Sequence, residues 1–165
     1  MAAWAPGLCS FVLRTLGDLE RRSPGLRFPF KNHPFSALTF NLGPDACTTP
    51  HKDSMDLYWC AVTSLGNYDH ERGGHLVLWD LKLAIEFPPN STIFIPSAIL
   101  LHSNTAIGPN EHRSSITQYN SAGLFRWVAY DYSLMGNRMR SGKKWWDSPP
   151  TCSLGRTGMA LVEFL

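Results

Sequence analysis

At 165 residues the chain has the length of one globular domain rather than two. A hydrophobic content of 44%, with nine Phe, six Trp and five Tyr, is enough for a sizeable core, and with only 17% charged residues it excludes a chain disordered throughout. Fifteen Lys and Arg against 13 Asp and Glu leave a net charge of +2, too little to mark a nucleic-acid binder by charge alone.

In chain order, the N-terminal Met1-Ala2-Ala3-Trp4 lacks the charged and then apolar sequence of a secretory signal. Leu8, Phe11, Val12, Leu16 and Leu19 then recur at helical spacing until Ser23-Pro24-Gly25, which predicts a short amphipathic helix over residues 8–20 within an N-terminal helical support, residues 1–35. From Ser36 to Ser121 the chain changes to seven β-prone runs bounded by Gly, Pro and Asn: residues 36–42, 58–65, 75–79, 84–87, 92–95, 100–106 and 114–120. With no long helical pattern between them, they predict a mainly β fold of antiparallel sheets, a sandwich or jelly roll, and not βαβ units. Asn90-Ser91-Thr92 matches the glycosylation acceptor pattern, but after Pro88-Pro89 it reads as the tight turn between two strands.

Residues 134–165 form a basic and aromatic tail around Arg138, Arg140, Lys143, Lys144, Trp145 and Trp146, expected to pack poorly on the fold. Its cations interleaved with aromatics are the local candidate for nucleic-acid contact, against the plainer reading of a solvated tail. Cys9, Cys47, Cys60 and Cys152 are scattered and form no C-x-x-C pair, which points to a reduced intracellular setting, cytoplasm or nucleus. No apolar run approaches the ~20 residues that span a bilayer, so no membrane association is expected.

The chemistry concentrates in His51-Lys52-Asp53, followed 51 residues later by His102 and 11 beyond that by Arg113. In an extended segment residues i and i+2 point the same way, so His51 and Asp53 present an imidazole and a carboxylate to one point while Lys52 faces away. A second imidazole from His102 completes a two-His, one-carboxylate face that leaves the opposite metal positions open, the arrangement suited to non-haem Fe(II). The tripeptide alone is a weak signal, and its weight comes from the strand-like setting of the other pieces. Arg113 and Ser115 share a face of their strand, and a guanidinium fork beside a hydroxyl suits the far carboxylate of a dicarboxylate ligand. Asn41, Trp59 and Asn104 are candidates to face a substrate at the mouth of the fold.

The plainer alternatives are a buried, hydrogen-bonded His102 with two turn-region polar residues, and Arg113 as a surface ion-pair partner. Asp56 is a rival carboxylate whose spacing from His51 does not favour a shared face. His70 and His75 lie five apart where a zinc-protease helix needs four, so His70 and Glu71 read as loop residues before a strand. No serine-hydrolase elbow or phosphate-binding loop motif occurs.

Taken in order, His51-x-Asp53, Gly73-Gly74-His75-Leu76-Val77-Leu78, Pro88-Pro89-Asn90-Ser91-Thr92-Ile93, Pro96-Ser97, His102 and Arg113-Ser114-Ser115 resemble the Fe(II)/2-oxoglutarate-dependent dioxygenases of the prolyl-hydroxylase-like branch. Residues 60–66, 72–81, 116–119 and 123–127 are more specifically similar to a group of mushroom-forming-fungal proteins, some of whose relatives are placed with the TET/JBP-type oxygenases that oxidise the methyl group of pyrimidine bases. The resemblance covers roughly residues 36–130. It implies a double-stranded β-helix over residues 36–133, Fe(II) held by His51, Asp53 and His102, and 2-oxoglutarate held by Arg113 and Ser115. It also implies O2 as co-substrate, with hydroxylation of a C–H bond and release of succinate and carbon dioxide; a methylated nucleobase is one substrate among several.

Only 35 residues precede the first expected strand, and the tail beyond Ser133 departs from the fungal group's pattern. The second reading is therefore a truncated or non-catalytic β-barrel binding module of the same fold. A cupin-like enzyme using another metal is the third, distinguished by having no need of an Arg113 clamp.

Overall fold

The computed structural model describes residues 1–43, 47–134 and 136; the basic-aromatic stretch Arg138–Trp146 and Cys152 lie outside them. Two compact units result, Phe35–Ser121 and Met1–Pro34 together with the described residues from Ala122 onward.

In the second of these, α1 (Pro6–Arg22) starts on a proline, whose missing N–H is no loss in a first turn, and buries Cys9, Val12, Thr15, Leu16 and Leu19 on one stripe. It is two residues longer at each end than the apolar pattern predicts. α2 (Ala122–Ala129) buries Phe125, whose ring lies 6.0 Å from that of Phe11.

Among its described residues the Phe35–Ser121 unit holds seven strands, as many as the β-prone runs: β1 (Ala37–Asn41), β2 (Cys60–Asn67), β3 (Leu76–Leu78), β4 (Leu83–Ile85), β5 (Thr92–Ile95), β6 (His102–Asn104) and β7 (His112–Tyr119). They form a four-stranded antiparallel sheet in the order β1-β7-β2-β5 and a three-stranded one in the order β4-β3-β6. The fold is mainly β, as expected. Leu76 and Leu78 of the smaller sheet and Ile95 of the larger one, with Phe87, form the apolar core, joined by Val62, Ile85, Ile93 and Leu100. The core therefore consists of residues from both sheets.

Glycines and turns set the strand ends. Tyr58 has φ +66°, outside the β region, so β2 starts at Cys60 and not at Tyr58. At its other end Gly66, with φ +119°, lets β2 continue alongside β7; a Cβ there would stand 2.2 Å from the His112 carbonyl oxygen. Trp79 leaves β3 to begin a one-turn 3₁₀ helix, Trp79–Leu81, closed by left-handed Lys82. Between β4 and β5, Asn90 has φ +65° and donates its N–H to the Ser64 carbonyl at 2.7 Å, so Pro88–Ser91 is the turn that the sequence indicates.

Candidate metal centre

His51 lies outside the named strands yet pairs with β6. Its N–H donates to the carbonyl of His102 and the N–H of His102 donates back to the carbonyl of His51, each at 3.0 Å. Directly opposed residues of an antiparallel pair project to the same side, and the two imidazole centroids are 4.4 Å apart. Asp53, two residues on, is fixed by its N–H on the Ser97 carbonyl at 3.1 Å. Its Oδ1 lies 3.7 Å from Nε2 of His51 and its Oδ2 lies 3.7 Å from Nε2 of His102. One ligand atom from each of the three falls within 4.8 Å of the others.

The other ring nitrogens identify the tautomers. Nδ1 of His51 stands 2.7 Å from the Thr49 carbonyl oxygen, and Nδ1 of His102 stands 2.9 Å from that of Leu100. A carbonyl only accepts, so each Nδ1 carries a proton, and in the neutral ring each Nε2 offers a lone pair. Two such lone pairs and a carboxylate turned toward one point repel one another until a cation stands between them. Backbone carbonyls that fix the imidazole this way are the usual outer partners of metal-bound histidines. Two imidazole nitrogens and one carboxylate on one face fit a ferrous ion.

The three residues line a cavity of about 560 Å³. Arg113, Ser115, Thr117 and Tyr119, alternate residues of β7, line it as well, which is the period-2 face expected of a strand. Arg113 is 3% exposed and its guanidinium carbon lies 5.7 Å from the centre of the Phe87 ring. Ser115 is buried, and its Oγ accepts from Nδ2 of Asn41 at 3.2 Å.

Of the three residues considered for the mouth, Asn41 and Asn104 line this cavity and Trp59 lies outside its lining. Asn104 is engaged with the segment before the metal face: its Oδ1 accepts from the Thr48 N–H at 2.9 Å and from the Thr48 hydroxyl at 2.6 Å. His70 and Glu71 fall in a turn in which the N–H groups of Arg72 and Gly73 bond the Asp69 carbonyl, so no zinc-protease helix exists there.

Asp56 also lines the cavity but stands outside the three-residue cluster. Burial pushes its carboxyl up to about 6; a hydrogen bond from the Ser97 hydroxyl, at 3.0 Å, works against that, and the Asp53 charge adds to it. Ser97 therefore serves two aspartates, the Asp53 main-chain N–H through its carbonyl and the Asp56 carboxylate through its hydroxyl. Sequence reasoning places Pro96-Ser97 in a motif without this role. It likewise leaves Asp80 without one, although Asp80 accepts from the Leu101 N–H at 2.8 Å and lies 3.3 Å from the Lys52 ammonium. Those two partners, the Leu101 amide first, hold its carboxyl below the usual carboxylate range.

No protein-family model matches the chain, and no curated protein is significantly similar to it. Among solved structures it is similar to NgTET1, determined in complex with 5mC DNA, at 21% identity over 56% of this chain and 36% of that one, with a TM-score of 0.50. A viral collagen prolyl hydroxylase from Paramecium bursaria Chlorella virus-1, determined as its 2OG complex, aligns at 12% identity over 64% of this chain and 68% of that one, with a TM-score of 0.35. The chain thus spans about a third of NgTET1, and the likeness to it is one of fold. The fold likeness is to a TET protein, the kind to which the similarity of residues 60–66, 72–81, 116–119 and 123–127 points. Among the described residues no helix is long and apolar enough to cross a membrane.

Proposed function

We propose that the chain is an Fe(II)- and 2-oxoglutarate-dependent oxygenase that hydroxylates a C–H bond, with its two sheets as the halves of a double-stranded β-helix. The observation that carries this reading is the pair of histidines whose Nδ1 protons are fixed by carbonyls and whose Nε2 atoms meet the Asp53 carboxylate at the wall of a cavity that Arg113 also lines. His51, Asp53 and His102 would hold the metal, and Arg113 with Ser115 would hold the far carboxylate of 2-oxoglutarate. When bound, the ferrous ion and the cosubstrate supply oxygen activation, with 2-oxoglutarate oxidised to succinate and carbon dioxide as one oxygen atom goes to the substrate.

The chain's own residues bind and orient. The Thr49 and Leu100 carbonyls keep both imidazoles in the ligating tautomer, and the Ser97 carbonyl holds the Asp53 backbone. Arg113 is buried and permanently charged, so a carboxylate that reaches it gains a charge-assisted, bidentate pairing. Asn41 fixes the Ser115 hydroxyl beside it. The catalytic region lies within residues 36–133. The free thiols of Cys9, Cys47 and Cys60 and a ferrous centre both suit an intracellular compartment. A methylated nucleobase is the first substrate to test, because the fold likeness is to a protein determined with 5mC DNA.

Anaerobic addition of Fe(II) and 2-oxoglutarate is expected to produce a weak visible charge-transfer band, followed by succinate on admission of air. Neither band nor succinate would leave the non-catalytic module as the better reading.

A further inference from the structure

We propose that Asp80 is a positioning residue that locks the two ligand-bearing segments of the metal face to each other, an inference that rests on the metal reading of His51, Asp53 and His102. Asp80 sits in the 3₁₀ turn Trp79–Leu81, outside both segments, and its Oδ2 touches each of them. It accepts from the N–H of Leu101, the residue before His102, at 2.8 Å. The same oxygen lies 3.3 Å from Nζ of Lys52, the residue between His51 and Asp53.

The rest of the turn grips the His102 segment from both sides. The Trp79 N–H donates to the Leu101 carbonyl at 2.9 Å, and the Trp79 indole N–H donates to the Ser103 hydroxyl at 3.0 Å. Leu101 therefore has its carbonyl held by Trp79 and its amide by Asp80, while Ser103 is tied on the far side of the histidine. Lys52 borders the same cavity as the metal face, and its ammonium reaches the turn at Asp80. Ligand geometry that must hold within a fraction of an ångström depends on such supporting contacts, and their loss commonly weakens metal binding by about 10- to 100-fold. The two ties differ in strength. The Leu101 amide bond is a charge-assisted bond to fixed backbone, whereas the Lys52 pair is half exposed and screened by solvent.

Titration of the purified full chain with Co(II), followed by its visible absorption, measures the effect without turnover. Asp80→Ala is expected to weaken Co(II) by about tenfold or more. Asp80→Asn keeps an acceptor for Leu101 and recovers most of that loss, and Lys52→Met weakens binding by only about two- to fivefold. The melting temperature of the metal-free protein stays close to the parent's in all three. Equal Co(II) affinity in Asp80→Ala and the parent would overturn the proposal, as would a loss in Asp80→Asn as large as in Asp80→Ala, which would indicate charge and not a held amide. A lowered melting temperature with unchanged affinity would show a structural role only. If Asp80→Ala does not fold, the Asp80→Asn and Lys52→Met affinities decide by the same ordering. A parent that binds no Co(II) would instead refute the metal reading itself, which separates the two failures.

Discussion

His51 and His102 exchange both of their backbone hydrogen bonds, at 3.0 Å each way, so the two imidazoles of the metal face stand on a single cross-strand pair. The main chain thereby fixes where two of the three ligands stand. Each imidazole is then turned by a carbonyl two residues before it, Thr49 for His51 and Leu100 for His102. The same local device at both sites directs both lone pairs at the Asp53 carboxylate. The face has no cationic member of its own in this tautomeric state, and that electron-rich meeting point is what a metal would satisfy.

Asp53→Ala is expected to abolish binding of Fe(II) or Co(II) while leaving the metal-free fold close to its original stability. The Asp53 side chain is 34% exposed, and its removal relieves repulsion from two lone pairs. In the parent, metal at about 100 times its dissociation constant adds about 2.7 kcal/mol to the unfolding free energy. Thermal unfolding with and without metal checks both statements, since the metal-dependent rise should vanish in the variant.

Arg113→Ala is expected to weaken 2-oxoglutarate by about 2 kcal/mol, roughly 30-fold, with metal affinity retained. Arg113→Lys restores the charge but not the fork, so it recovers only part of the loss. The apparent KM for 2-oxoglutarate should rise by more than kcat falls. Anaerobic titration of the charge-transfer band reports the same change without a known substrate.

Gly66→Ala tests how β2 shapes the strand that bears Arg113. Gly66 pairs with Arg113 in the register of β2 and β7, and its φ of +119° lies where side chains are strained. An added Cβ would meet the His112 carbonyl oxygen at 2.2 Å and the Arg113 Cα at 3.1 Å, and both are backbone atoms that do not swing aside. Destabilisation of about 2 kcal/mol or more is expected in chemical denaturation, accompanied by weaker 2-oxoglutarate binding as β7 shifts. A variant as stable as the parent would mean that the strand pair relaxes freely.

The elements that the sequence makes legible are those governed by local rules. The run at residues 92–95 matches β5 residue for residue because a Pro-Pro-Asn-Ser turn precedes it and Pro96 follows it. The His51-x-Asp53 face is legible because strand alternation relates i to i+2 without knowledge of the fold. By contrast β6 is expected over residues 100–106 and spans only His102–Asn104, since the Leu101 amide is taken by the Asp80 carboxylate. α2 escapes the pattern because two turns carrying one buried residue, Phe125, leave too short an apolar stripe. The ties of Asp80 and Ser97 join residues 21 and 41 apart in the chain, and no spacing rule announces a side chain that reaches that far.

Cys60 gives a pH dependence with a defined sign. It is 1% exposed, and burial, with the Asp56 charge next and Asp53 last, pushes its thiol from an ordinary 9.0 up to about 12, against the hydrogen bond with Ser97. The folded chain thus keeps the Cys60 proton at a pH where the unfolded chain releases it. More protons are bound in the native state, so stability falls as pH rises, beginning near the unfolded value of 9.0 and continuing toward 12. Relative to Cys60→Ala, whose cavity cost is independent of pH, the parent should lose about 2 kcal/mol between about pH 8.5 and 10.5. Urea denaturation of the two proteins across that range isolates the contribution, because the Tyr and Lys titrations common to both cancel in the difference. At neutral pH the same thiol should resist iodoacetamide in the folded protein while exposed Cys47 reacts. Parallel stability curves for parent and variant would show that Cys60 ionises as readily in the fold as out of it.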